Sequence, residues 1–141
     1  MSARLQDAQT ALRGRLPNPE LAGFVPRIVN GVLELPVYHM RGGTSTGIVL
    51  WHAHLPSDPA LREEAIRWIM GVPAIGERPG NKQTTGLGRG PSTSNKVFII
   101  DRAPCADADI TSTLAQLAAD KSAIDWSVNC GNMSADRKSV V

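Results

Sequence analysis

Four groups of residues in this sequence have the types and spacing to do chemistry. The run Arg41-Gly42-Gly43-Thr44-Ser45 offers one guanidinium, two glycines that admit close backbone approach and two hydroxyls. Such a set suits a carboxylate or phosphate, and it also suits a plain hairpin turn. In Gly86-Leu87-Gly88-Arg89-Gly90-Pro91-Ser92-Thr93-Ser94-Asn95, backbone N–H groups could cradle an anion while the hydroxyls donate to it. A plain surface loop is the competing reading. The Gly-Lys-Ser/Thr of a P-loop is missing, and the third glycine comes one residue too early for a dinucleotide fingerprint. Lys96 stands where this loop meets an apolar run. A lysine among apolar neighbours can move protons, or it can snorkel along the surface with only its stem covered. Asn129-Cys130-Gly131-Asn132 is a tight turn with a thiol. Its cysteine is either activated at a helix N-terminus or a half-buried structural residue.

Other chemistry-bearing residues read as structural. His39, His52 and His54 have no metal-ligand spacing, and His52 and His54 fall on one face of an extended segment. Cys105 and Cys130 make neither a disulfide framework nor a zinc site, so no metal is expected and a reducing, cytoplasmic setting is the default. Trp126 reads as core.

These residues need elements to hold them. Val32 to Tyr38 reads as a strand with Pro36 at an edge or bulge. Ile48-Val49-Leu50-Trp51 reads as a second strand, so residues 41–47 become the turn of a hairpin. The clearest helix runs over about 58–70. Asp58 caps it, Pro59 fits the first position, and Gly71 with Pro73 ends it. Leu61, Ala65, Trp68 and Ile69 make its apolar face, with Glu63, Glu64 and Arg67 toward water. Residues 71–95 read as a long loop. Lys96 to Asp101 reads as a buried strand, residues 109–119 as either helix or strand, and Ile124 to Val128 as a further strand.

The 141 residues suit a single domain with a real core, and 42% hydrophobic with 20% charged residues is an ordinary globular composition. A net charge of +2 and 4% aromatics give no footprint for nucleic acid. No apolar run is long enough for a transmembrane helix, so neither nucleic acid nor membrane is expected as a partner. Nothing in the sequence argues for a homo-oligomer.

Four segments in order resemble the PrpF-type isomerases, which include 2-methylaconitate cis-trans isomerase, methylitaconate isomerase and 4-oxalomesaconate tautomerase. They are Met40 to Gly47, Gly86-Leu87-Gly88 through Ser92-Thr93-Ser94-Asn95-Lys96-Val97, Asp125-Trp126-Ser127, and Asn129 to Ala135. The resemblance implies an α+β, diaminopimelate-epimerase-like half, mainly antiparallel, with residues 112–119 as strand. It implies cofactor-independent acid/base chemistry on a small unsaturated polycarboxylate. Lys96 would be the acid/base, Cys130 a second proton-transfer group, and Arg41, Gly42, Gly43, Thr44, Ser45, Ser92, Thr93, Ser94 and Asn132 the substrate-binding set. Departures at Thr46, Thr85, Arg89-Gly90-Pro91 and Asn95 leave the substrate open. Residues 1–30 read as an N-terminal extension and 31–141 as the N-terminal domain of such an isomerase. Asp136-Arg137-Lys138-Ser139 breaks the family's apolar central helix, so a truncated fragment without a second half, inactive alone, is expected. The competing functions are an anion- or nucleotide-phosphate-binding module using residues 86–96, and a non-functional gene fragment.

Overall fold

The computed structural model describes residues 25–128 other than 105, 107 and 109. The Cys105, Cys130 and Asn132 readings therefore lie outside the described residues.

Two short strands, β1 (Arg27–Val29) and β2 (Val32–Glu34), form an antiparallel hairpin. Its turn is Asn30-Gly31, at φ 52° and 79°. Both signs suit the tight hairpin turn that Asn-Gly favours. This hairpin lies on both sides of the boundary expected at residue 30. The single strand expected over Val32–Tyr38 is instead broken at Leu35-Pro36-Val37, and Tyr38 opens a different sheet. Pro36 has no N–H to give to a ladder and restricts the residue before it.

The main sheet has five strands in the order β3-β4-β5-β6-β7. They are β3 (Tyr38–Gly42), β4 (Ser45–Trp51), β5 (Lys96–Arg102), β6 (Ile110–Leu117) and β7 (Ile124–Asp125). Neighbours are antiparallel except β4 and β5, which run parallel. A parallel pair needs a long crossover, and here α1 (Pro59–Met70) lies within it. Within the ambiguous stretch 109–119, Ile110–Leu117 is strand β6, in keeping with the strand that the family resemblance implies over 112–119. Of Ile124 to Val128 only the first two residues pair.

The central strands are apolar on both faces, as strands buried on both sides must be. Ile48, Leu50, Val97, Ile99, Ala115 and Leu117 form one face, packed with Ile66 and Met70 of α1. Val49, Phe98 and Leu114 form the other, with Met40, Ile100 and Val128. The alternation is the period of two that strand geometry imposes.

α1 begins and ends as the sequence predicts. Asp58 accepts from Ala60 N at 2.8 Å and Leu61 N at 3.1 Å, a cap contributing roughly 1 kcal/mol. Gly71 closes it in the left-handed region. The inward face differs from expectation: Ile66 and Met70 are buried, while Trp68 is 68% exposed. Arg67 is pulled inward because its Nε donates to Ser122 O at 2.7 Å and its Nη2 to Glu63 at 2.7 Å. Trp126 is likewise not core. It is exposed, and its indole N–H donates to Glu63. His52 and His54 sit in a 3-10 turn after β4, not on a strand face. Among the described residues no helix is long and apolar enough to cross a membrane.

Candidate active site

The parallel pairing decides which candidates meet. Gly47 of β4 is opposite Lys96 of β5, so the starts of both strands lie side by side. The 41–45 turn precedes β4, and a 3-10 turn at Ser92–Ser94 precedes β5 and packs against β4. Residues about fifty apart in sequence thus come to one end of the sheet.

The two loops are built differently. In the first, Gly42 pairs with Ser45 to close the hairpin. Arg41 is exposed, and its Nε donates to Gly43 O at 3.2 Å. Among the described residues it makes no ion pair. Gly42 and Ser45 are buried, whereas Gly43 and Thr44 are exposed.

The second loop is wired into the core by two side-chain amides. Gln83 is 2% exposed and Asn95 fully buried. Gln83 Nε2 donates to Met70 O at 2.9 Å and to Asn95 Oδ1 at 2.6 Å. Gly90 N donates to Gln83 Oε1 at 2.8 Å, and Asn95 Nδ2 donates to Gly90 O at 2.8 Å. Buried polar groups are stable only when paired in this way. The backbone follows: Gly86 N donates to Gln83 O, Leu87 N to Ile69 O and Gly88 N to Met70 O. The Leu87 and Gly88 N–H groups therefore hold the loop to α1, those of Gly86 and Gly90 bond to Gln83 within it, and none of the four is turned outward as an anion cradle. A Cβ on Gly86 would lie 2.1 Å from Gly71 N, which explains the glycine by close backbone approach. The departure at Asn95 is explained as well, since its amide ties together two turns of this loop.

What the loop presents outward is Ser92 and Thr93, both exposed, with Ser94 half-buried. Behind them is Lys96. Its Nζ donates to Ser92 O at 3.0 Å and to Gln116 Oε1 at 2.6 Å. Both acceptors are neutral, and among the described residues no carboxylate pairs with this ammonium. Ser92 and Gln116 also line an open cleft of about 670 Å³ that continues past Asp120 and Lys121 to Asp125. The Ser127 hydroxyl and backbone N–H donate to Asp125 Oδ1 at 2.6 and 2.8 Å, which holds that carboxyl below its ordinary range.

Sequence reasoning passed over Gln116 and Gln83. A signal for Gln116 was available: it is the polar residue within the run Leu114-Ala115-Gln116-Leu117. Gln83 carried none, since its role depends on a backbone at φ 53° and on contacts with α1. At the far end of the sheet, His54 is 4% exposed and its Nδ1 has no partner among the described residues. Burial holds its pKa below the ordinary histidine value. Among the described residues no cluster of His, Cys, Asp and Glu could hold a metal ion.

The described elements make an α+β fold of one mixed five-stranded sheet and one α-helix, and the comparisons with known proteins give its family. The family model described as PrpF protein matches residues 32–139, and the chain belongs to this family. It is 35% identical over 105 residues to 4-oxalomesaconate tautomerase of Pseudomonas putida, covering 74% of this chain and 27% of that protein. It is 36% identical over 103 residues to 3-methylitaconate isomerase of Eubacterium barkeri, covering 73% and 26%. The solved structure of methylitaconate-delta-isomerase matches with a TM-score of 0.63 at 37% identity, over 71% of this chain and 24% of that one. The chain spans about a quarter of the length of the curated relatives it matches.

Proposed function

We propose that this chain is the N-terminal part of an isomerase that shifts a proton and a double bond within a small unsaturated di- or tricarboxylic acid. The observation that carries the reading is Lys96: an ammonium held by two neutral oxygens beside an open cleft, in a chain of this family. Lys96, as its neutral amine, takes a proton from a carbon next to unsaturation, and Cys130, as a second proton-transfer group, gives one to the carbon at the other end of the shifted double bond. The electrons move within the substrate, so the reaction balances with no redox cofactor or metal. Arg41 to Ser45, Ser92 to Ser94 and Asn132 bind the carboxylates, where N–H, O–H and guanidinium donors also stabilise charge that develops in the transition state. Residues 31–141 are proposed as the domain that carries this half of the site, residues 1–30 as an extension, and the setting as cytoplasmic.

A carboxylate must be fixed and water excluded while the proton moves. The cleft is open, so we propose that a second half closes it in the active protein and that the 141-residue chain alone has no turnover. The anion-module reading loses its motive, because the Gly86, Leu87, Gly88 and Gly90 N–H groups are already bonded within the protein. Calorimetry of the chain with an aconitate-like tricarboxylate and with a nucleotide separates the two. Preference for the tricarboxylate is expected, and preference for the nucleotide overturns the isomerase reading.

A further inference from the structure

Lys96 and Gln116 face each other across the β5–β6 ladder as a register pair. A long lysine stem has many rotamers, and side-chain entropy opposes the ordering of any one of them. Something must therefore hold Nζ in place if it is to meet one carbon of a substrate. The Gln116 amide is oriented unambiguously. Its Nε2 faces Ser92 O at 3.0 Å, Asn95 O at 3.0 Å and Leu117 O at 3.1 Å. Only a donor tolerates three carbonyl oxygens, so the other end of the amide, Oε1, is forced toward Lys96. Ser92 O accepts from both Lys96 Nζ and Gln116 Nε2, which joins the pair to the 3-10 turn. Two of the three ammonium N–H groups are thus committed.

We propose that Gln116 is the positioning residue of the site: it clamps the Lys96 ammonium against the Ser92–Ser94 turn, so that the orientation of the lysine and of the hydroxyls is set together. The role of Lys96 as acid/base rests on the function proposed above, whereas the clamp itself is a property of β5 and β6. A neutral amide is suited to this task. It aims the amine without holding the proton on it, as a carboxylate at the same place would.

The test is competitive acetylation of the lysines of the 141-residue chain near pH 8, read peptide by peptide, with Lys82 as the reference. In Gln116→Met, similar in length but with no acceptor oxygen for the ammonium, Lys96 is released and labels at least about threefold faster relative to Lys82. In Gln116→Glu a carboxylate favours the unreactive ammonium, and Lys96 labels at least about threefold more slowly. Opposite signs from one position are not the result of mere loosening. Lys96 labelling that stays level with Lys82, or moves the same way in both variants, overturns the clamp. Should a variant unfold, the unsubstituted protein decides: reductive methylation of Lys96 moves the Gln116 side-chain amide resonances, and unmoved resonances contradict the proposal. A labelling contrast without tricarboxylate binding counts for the clamp and against the isomerase reading. Binding without the contrast counts against the clamp alone.

Discussion

The turn at residues 41–45 and the loop at residues 83–96 lie at the same end of the sheet, yet they are held in opposite ways. The turn is closed by one ladder pair, Gly42 with Ser45, and presents an exposed guanidinium. The loop is longer and has more glycines, Gly86, Gly88 and Gly90 against Gly42 and Gly43, but its backbone is bonded to α1 and its two amides are buried. Loop composition therefore does not measure looseness here. The loop is scaffold, and it delivers Ser92, Thr93 and Lys96 from a fixed base. The turn is surface at Arg41, Gly43 and Thr44, and its Arg41 guanidinium can be given to a ligand at little cost to the fold.

The contrast breaks most severely at Gly86. In Gly86→Ala the new methyl meets backbone of Gly71 and Met70, which the helix end cannot move aside. Overpacking of this kind costs about 3 kcal/mol or more, to be read as a fall in the urea midpoint. Asn95→Ala comes next. It removes the acceptor of one of the two Gln83 Nε2 N–H groups in a buried site, together with the donor to Gly90 O, for a loss of about 2 kcal/mol. A midpoint unchanged by both substitutions removes the distinction between scaffold and surface.

A smaller effect comes from His54, at the opposite end of β4 from the turn. Its pKa is lowered by burial, so the unfolded chain binds the proton more readily than the folded one. The stabilisation is fully present above the ordinary value of 6.5 and is lost as pH falls below it through the folded value. The urea midpoint should therefore drop between pH 7.5 and pH 5, and less so in His54→Leu. An equal drop in both chains assigns the acid sensitivity elsewhere. The smallest effect on stability is expected in the turn. Arg41→Ala should stay within about 0.5 kcal/mol of the parent while weakening tricarboxylate binding. A large loss of stability shows that the turn too is scaffold.

The same two regions explain what could be read before the fold was seen. Signals that act locally were legible: Asp58-Pro59 and Gly71 bound α1, and the Gly-rich turn between Tyr38 and Trp51 marks the β3–β4 hairpin. So was the set of segments that marks the family. Illegible were the pairings between distant residues. The parallel β4–β5 register brings Arg41 to Ser45 beside Ser92 to Ser94, and nothing in either stretch announces it. The glycines of the loop suggested an anion cradle, because composition reports that backbone can come close and not what it comes close to. Trp68 and Arg67 exchanged their expected places because a hydrogen bond to Ser122, far away in sequence, outweighed the helical period.

The central claim is that Lys96 moves the proton. It is tested most directly by joining residues 32–139 of this chain, in place of the matched segment, to the remainder of the Eubacterium barkeri 3-methylitaconate isomerase, and comparing turnover with and without Lys96→Ala. A general acid–base group contributes about 10²- to 10⁴-fold, so the substitution should lower kcat by that factor while the thermal melt stays in place. An active chimera whose kcat is indifferent to Lys96→Ala contradicts the account.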